Sequence, residues 1–280
     1  MAKKKMTVLD FQKYKDEGRK FSYCTCYDYT MATIVDESDV EVILVGDSLG
    51  MTMLGYKTTV GVTLDDMIHH IKPVVKGAPN TFVIGDMPFG SYQESPEQAI
   101  RSAARMLMET NCDCVKLEGG AKMAPTIKRM VDVGIPVMGH IGMTPQSASN
   151  FGGFKVQGGT PEGALQLIKD AKTLEAAGVF SIVLECVPSC VAKAVQEELG
   201  IPVRLIGIGT FIDHFGSRMS VYGVVHLILH GGIKATCRLC VLVVIERSRV
   251  EIGDFLVEEP FACLYFVVRS SCSLSISFWV

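Results

Sequence analysis

Val40-Glu41-Val42-Ile43-Leu44-Val45-Gly46-Asp47-Ser48-Leu49-Gly50 is an apolar run that stops on a carboxylate. The same ending returns in Phe82-Val83-Ile84-Gly85-Asp86-Met87-Pro88, in Val115-Lys116-Leu117-Glu118-Gly119 and in Val183-Leu184-Glu185-Cys186. Uninterrupted apolar runs of this kind suit strands covered on both faces, as in a parallel sheet. In a parallel barrel such strand ends share one rim, so the four carboxylates would converge on a site suited to a divalent metal and a base.

The rest of the first 209 residues keeps the same rhythm. Apolar segments near 21–26, 40–46, 81–85, 112–117, 136–142, 180–185 and 203–209 alternate with stretches of helical period, which predicts parallel β/α architecture. Ser95-Pro96-Glu97 and Thr160-Pro161-Glu162 each set a capping hydroxyl before a proline, with an acid in the first helical turn where the dipole favours it. Gly178 and Gly200 are expected helix ends. An amphipathic segment at 7–17 is expected to lie across the barrel bottom or to reach a neighbouring subunit. The number of units favours a (β/α)8 barrel, with an open doubly wound sheet as the alternative. No Gly-x-Gly-x-x-Gly opens the first unit, which removes the usual argument for a dinucleotide site.

Composition narrows the partner. A chain of 280 residues with 27 basic and 30 acidic side chains has a net charge of −3, so nothing in the totals points to nucleic acid or to an anionic membrane. A small molecule is the expected partner. The basic start, Met1-Ala2-Lys3-Lys4-Lys5, leads into no apolar core of a secretory signal, and no window holds about 18 uncharged apolar residues. A cytoplasmic protein is expected. Cys24, Cys26, Cys112, Cys114 and Cys186 read as buried core positions. Cys237 and Cys240 form a C-x-x-C without a second pair at zinc-site spacing, so no zinc site is expected there.

Each candidate site residue has a plainer reading beside the chemical one. Asp47 with Ser48 could bind a metal and a carboxylate, or only cap a helix. Asp86 repeats that arrangement at an equivalent strand end. Lys116 and Glu118, two apart on one strand, share a face and must both point into the barrel or both toward the helices. They are either a structural ion pair or a cation for an anionic substrate beside a metal ligand. Glu185 closes an apolar run whose surroundings suit a general base. His140 is either a hydrogen-bonded core histidine or part of the pocket. His69-His70, on a helix expected to be exposed, carries no assigned role, and Tyr27 is a rim group. Carboxylates without clustered His or Cys suit Mg2+ better than Zn2+, and such a site supports removal of the proton next to a metal-chelated 2-oxo acid.

The ordered motifs Val45-Gly46-Asp47-Ser48-Leu49-Gly50-Met51, Gly85-Asp86-Met87-Pro88-Phe89-Gly90-Ser91-Tyr92, Val115-Lys116-Leu117-Glu118-Gly119-Gly120, Gly139-His140-Ile141-Gly142-Met143-Thr144-Pro145-Gln146 and Leu184-Glu185-Cys186-Val187-Pro188 resemble the ketopantoate hydroxymethyltransferase family. The resemblance spans residues 7–209. It implies a (β/α)8 TIM barrel of the phosphoenolpyruvate/pyruvate type, Mg2+, 5,10-methylenetetrahydrofolate as co-substrate and a homo-oligomer, commonly a decamer. It further implies Asp47, Asp86 and Glu118 as metal ligands, direct or through water, with Asp47, Ser48, Asp86, Lys116 and His140 binding the oxo acid and Glu185 as proton acceptor. The implied reaction hydroxymethylates 3-methyl-2-oxobutanoate to 2-dehydropantoate through a Mg-stabilised enolate, a step of pantothenate biosynthesis.

The chain departs from that pattern at Thr210. The organisation expected is a barrel domain at 1–209 and an aberrant segment at 210–280, which reads as frame-shifted or as a divergent tail, with 221–229 apolar enough to stand in for an eighth strand. Two other functions compete with the transferase: a non-catalytic remnant that co-assembles with an intact subunit, and a carbon–carbon lyase of the same superfamily. The Lys-Lys-Cys-Gly-His-type loop of such lyases is absent from the sequence.

Overall fold

The computed structural model describes residues 3–206 throughout and, beyond them, strand segments at 224–227, 239–246, 251–252, 255–256, 261–268 and 274–277. The chain divides into two compact units, Met1–Gly207 and Ile208–Val280.

In the first unit seven parallel strands follow one another in sequence order: β1 (Tyr23–Thr25), β2 (Val42–Val45), β3 (Phe82–Asp86), β4 (Cys114–Glu118), β5 (Val137–Gly142), β6 (Ser181–Glu185) and β7 (Val203–Ile206). The helices α1 (Val8–Asp16), α2 (Tyr29–Asp36), α3 (Leu49–Thr52), α4 (Leu64–Gly77), α5 (Pro96–Thr110), α6 (Ala124–Asp132), α7 (Pro161–Ala176) and α8 (Ser189–Glu198) alternate with them. A strand whose next parallel neighbour follows through a helix packs back with one hand, so the sheet curls around an inner core while the helices cover its outside. This is the expected α/β barrel architecture.

The period of two along each strand sorts residues between the two cores. Ile43, Val45, Val83, Val115, Leu117, Val137 and Ile182 pack outward with helix residues such as Ile71, Met106 and Leu174. Val42, Leu44, Phe82, Ile84, Cys114, Met138 and Val183 pack inward on one another. The helix starts read from the sequence are in place: the Ser95 side chain accepts from Gln98 N–H, and that of Thr160 from Gly163 N–H. Asn111, with φ +58, ends α5 in the left-handed region, and Gly178, with φ +97, follows the end of α7.

The lower end of the inner core is aromatic. Phe11 of α1 is fully buried, and its ring meets those of Phe21, Phe82 and Phe180 edge-on, each at 5.0 Å. The N-terminal segment thus plugs the bottom of this unit's own barrel. Arg204 on β7 lies across from β1, its guanidinium 3.3 Å from the centre of the Tyr23 ring and Nη2 3.5 Å from the Tyr23 carbonyl. Its Nε has no hydrogen-bond partner, and burial lowers its pKa to about 10. Among the described residues, no backbone ladder joins β7 to β1.

Two expectations are corrected. The segment expected to supply an eighth parallel strand is instead β8 (Val224–Leu227), antiparallel to β9 (Leu239–Glu246) in the second unit. The sheet there runs β13-β12-β9-β8, with β12 at Phe261–Val268 and β13 at Leu274–Ser277; β10 (Glu251–Ile252) and β11 (Phe255–Leu256) form a separate pair. Antiparallel partners need no helical crossover, and the β-branched run of β9 offers eight residues of backbone close by in sequence. Of the cysteines read as core, Cys26, Cys112 and Cys114 are buried, whereas Cys24 and Cys186 are only half-buried. No helix among the described residues is long and apolar enough to cross a membrane.

Phe11 fills a pocket that other side chains cannot collapse into, so Phe11→Ala is expected to cost about 3–5 kcal/mol, read as a lower urea midpoint for loss of the first unit's structure.

Candidate active site

The inward positions that are apolar at the barrel bottom become charged at its C-terminal rim. Parity settles the question that the sequence left open for Lys116 and Glu118: they share the inner face of β4 with Cys114, just as Asp86 continues Phe82 and Ile84, His140 continues Met138, and Glu185 continues Val183. Asp47, Asp86, Lys116, Glu118 and His140 are each 5% exposed or less.

The contacts form one connected set. Lys116 Nζ lies 2.6 Å from Asp86 Oδ1 and 3.3 Å from His140 Nδ1. The Asp47 backbone N–H donates to Asp86 Oδ2 at 3.2 Å, tying the ends of β2 and β3 together. His140 stands between two acids, with Nδ1 3.5 Å from Glu118 Oε1 and Nε2 3.3 Å from Glu185 Oε2. The Ser48 hydroxyl is 2.8 Å from that of Tyr27, and the Tyr27 carbonyl is 2.8 Å from His70 Nδ1. The structure therefore brings together every candidate read from the sequence, and it gives Tyr27 and His70 a place at the edge of the site.

Glu185 is more open than the other acids of the set, its side chain 19% exposed. Its backbone is fixed: Met143 N–H donates to its carbonyl at 2.8 Å, and a Cβ on Gly142 would sit 2.3 Å from the same oxygen. Only glycine, here at φ +91, lets β5 pass so close. Cys186 follows in the left-handed region at φ +48, turning the chain sharply after the acid.

Burial works against so much charge. It raises the Asp47 carboxyl well above the usual range, with Asp86 and Glu118 adding to the effect and Lys116 opposing it. Burial raises Asp86 as well, against the pull of Lys116. For Lys116 the three acids outweigh burial and keep the ammonium charged. Burial and Lys116 oppose a charged His140, but Glu118 and Glu185 prevail and hold its pKa at about 9.

Sequence reasoning missed two residues of this region. Gln146, on the 3-10 segment Pro145–Phe151 after β5, donates from Nε2 to Asp47 Oδ2 and to the Met87 carbonyl, both at 2.9 Å, and from its backbone N–H to Glu118 Oε2 at 3.0 Å. Tyr92 donates its hydroxyl to Gln146 Oε1 at 2.7 Å and accepts from Glu118 N–H at 3.1 Å. Both lie inside quoted motifs, but neither carries a reactive group or a periodic signal.

Removing the lysine would strand the buried acids. Lys116→Met is expected to lower stability at neutral pH by about 3–5 kcal/mol in chemical denaturation. Because Asp47 takes up its proton at higher pH folded than unfolded, its contribution to stability is present near pH 3.8 and is lost as pH rises through its elevated folded value. The Lys116→Met deficit should accordingly shrink on acidification.

Comparison with known proteins agrees with this geometry. The family model for ketopantoate hydroxymethyltransferase matches residues 5–226, continuing past Thr210. The 3-methyl-2-oxobutanoate hydroxymethyltransferase of Heliobacterium modesticaldum is 58% identical over 210 residues, covering 75% of this chain and 76% of that protein. Its counterpart from Clostridium botulinum is 54% identical over 207 residues, 74% of this chain and 75% of the other. Among solved structures, 2,3-dimethylmalate lyase, a member of the PEP mutase/isocitrate lyase superfamily, has a TM-score of 0.51 at 16% identity, covering 70% of each chain. Phosphonopyruvate hydrolase in complex with oxalate and Mg2+ also has a TM-score of 0.51, at 9% identity, covering 74% of this chain and 82% of that one. At such identities these structures share the fold alone, whereas the sequence matches decide the lineage: the chain belongs to the ketopantoate hydroxymethyltransferase family.

Proposed function

We propose that this chain transfers a hydroxymethyl group from 5,10-methylenetetrahydrofolate to 3-methyl-2-oxobutanoate, giving 2-dehydropantoate. The observation that carries the reading is the placement of Glu185, an open carboxylate 3.3 Å from His140 Nε2, at the edge of a buried acidic cluster built on one barrel rim.

A divalent cation fits the residues present. Three buried carboxylates, Asp47, Asp86 and Glu118, face the Lys116 ammonium, and Glu118 Oε1 has no hydrogen-bond partner. Among the described residues no three His, Cys, Asp or Glu side chains form a ready-made cage. Mg2+ keeps several waters and binds through one or two carboxylates plus substrate oxygens. Asp47 and Asp86 would hold it, with Glu118 reaching it directly or through water. When bound, the ion would draw negative charge onto the keto oxygen of the oxo acid.

The protein's own groups do the rest. Ser48, aimed by the Tyr27 hydroxyl, and the Lys116 charge receive the oxo acid's carboxylate. Glu185 takes the proton from the branched carbon beside the keto group, with His140 Nε2 3.3 Å from its carboxylate as the neighbouring charge. The carbon freed of its proton then bonds to the folate-borne one-carbon unit, whose two C–N bonds break to release tetrahydrofolate while water supplies the hydroxyl oxygen of the new hydroxymethyl group.

The purified chain, given both substrates and Mg2+, is expected to form 2-dehydropantoate, with loss of product on chelation. Glu185→Gln should lower kcat by about 100- to 10,000-fold with a much smaller change in KM for the oxo acid. Unchanged kcat in that variant would remove Glu185 from the reaction, and a folded wild-type chain without turnover would support the remnant reading.

A further inference from the structure

The Gln146 side chain is placed by four hydrogen bonds that fix which way its amide points. Nε2 faces two acceptors, Asp47 Oδ2 and the Met87 carbonyl, while Oε1 faces two donors, the Tyr92 hydroxyl at 2.7 Å and Gln93 Nε2 at 3.2 Å. The reversed amide would put oxygen against two acceptor oxygens on one side and nitrogen against Gln93 Nε2 on the other. The Tyr92 oxygen accepts from Glu118 N–H, and its hydroxyl faces two acceptors, Gln146 Oε1 at the shorter distance of 2.7 Å and the Glu118 carbonyl at 3.2 Å. Both side chains are buried.

This clamp divides the two carboxylates that it touches. Gln146 ties Asp47 Oδ2 through its side chain and Glu118 Oε2 through its backbone N–H. Glu118 Oε1 makes no hydrogen bond and lies 3.5 Å from His140 Nδ1, and Gln146 does not engage Asp47 Oδ1. A single residue thus touches two acids, one just past the end of β2 and one at the end of β4, strands that are not neighbours in the sheet.

We propose that Gln146, oriented by Tyr92, is the positioning residue that determines which oxygen of Asp47 and of Glu118 is presented to the divalent ion. This rests on the reading that those two acids, with Asp86, hold the ion. Groups that orient metal ligands commonly alter metal affinity by about 10- to 100-fold when removed.

The test uses Mn2+ alone, titrated into the full-length protein without substrate and followed by the EPR signal of the free ion. Gln146→Leu keeps the backbone bond to Glu118 and deletes the hold on Asp47; its Kd for Mn2+ should rise about 10-fold or more. Tyr92→Phe, which removes a single hydroxyl, should shift the Kd in the same direction by about threefold or more and decides the matter if Gln146→Leu does not fold. The metal-free Tm of Tyr92→Phe should stay within a few degrees of wild type, as a positioning role requires. Mn2+ affinities of both variants within about twofold of wild type, with binding abolished in the double variant Asp47→Asn and Asp86→Asn, would overturn the role of Gln146 while leaving the metal reading intact. Wild-type affinity in that double variant would overturn the metal reading and this inference together.

Discussion

The ammonium of Lys116 is the charge around which the upper half of the barrel is organised. It is buried with three carboxylates, touches Asp86 directly and stands beside His140. Solvent screens little at such depth, so the acids depend on this ammonium, on the charged His140 imidazole and on hydrogen bonds from their neighbours. The cluster holds more acid than base. That imbalance burdens the folded state, and it is the feature on which the proposed divalent-cation site rests. Stability and chemistry therefore pull on the same residues, and the aromatic floor formed by Phe11, Phe21, Phe82 and Phe180 carries much of the compensating burial.

How much of this was legible in the sequence depends on whether the signal was local. An apolar run ending in Gly-Asp announces both a strand and what lies at its tip, so the order of residues alone puts Asp47 and Asp86 on one rim. Ser95 and Thr160 were equally readable, because a cap and its helix occupy adjacent residues. Lys116 and Glu118 were half legible: spacing required a common face, but only the packing of Cys114 against Ile84 and Met138 shows that the face is the inner one. Gln146 was illegible. Its bond to Asp47 joins residues 99 apart in sequence, and an amide in a loop carries neither a period nor a reactive group to mark it. The eighth strand failed for a related reason, since hydrophobicity says that 224–227 pairs but not with which partner.

The barrel also shows how one strand can serve opposite demands. On β4 alternate residues face the helices as Val115 and Leu117, and the lumen as Cys114, Lys116 and Glu118. Moving from Cys114 to Glu118 carries the lumen from apolar packing to full charge within five residues. The lower layers exclude water from beneath the site, and the rim above remains open enough for Glu185 to keep part of its side chain exposed. A rigid floor and an accessible upper acid suit the proton abstraction proposed for Glu185.

The seam between β7 and β1 has a dynamic consequence. Elsewhere in the first unit neighbouring strands are stitched by backbone ladders, but here the Arg204 guanidinium over the Tyr23 ring is a described contact across the gap. Separating ladder-paired strands breaks several hydrogen bonds at once, whereas parting a stacked cation from a ring gives up one interaction whose charged member regains its hydration. The barrel should therefore breathe along this line before any other. Amide protons of Tyr23 and Val203 would exchange with solvent through that opening, while those of β3 and β4 at the opposite wall would wait for the whole unit to unfold.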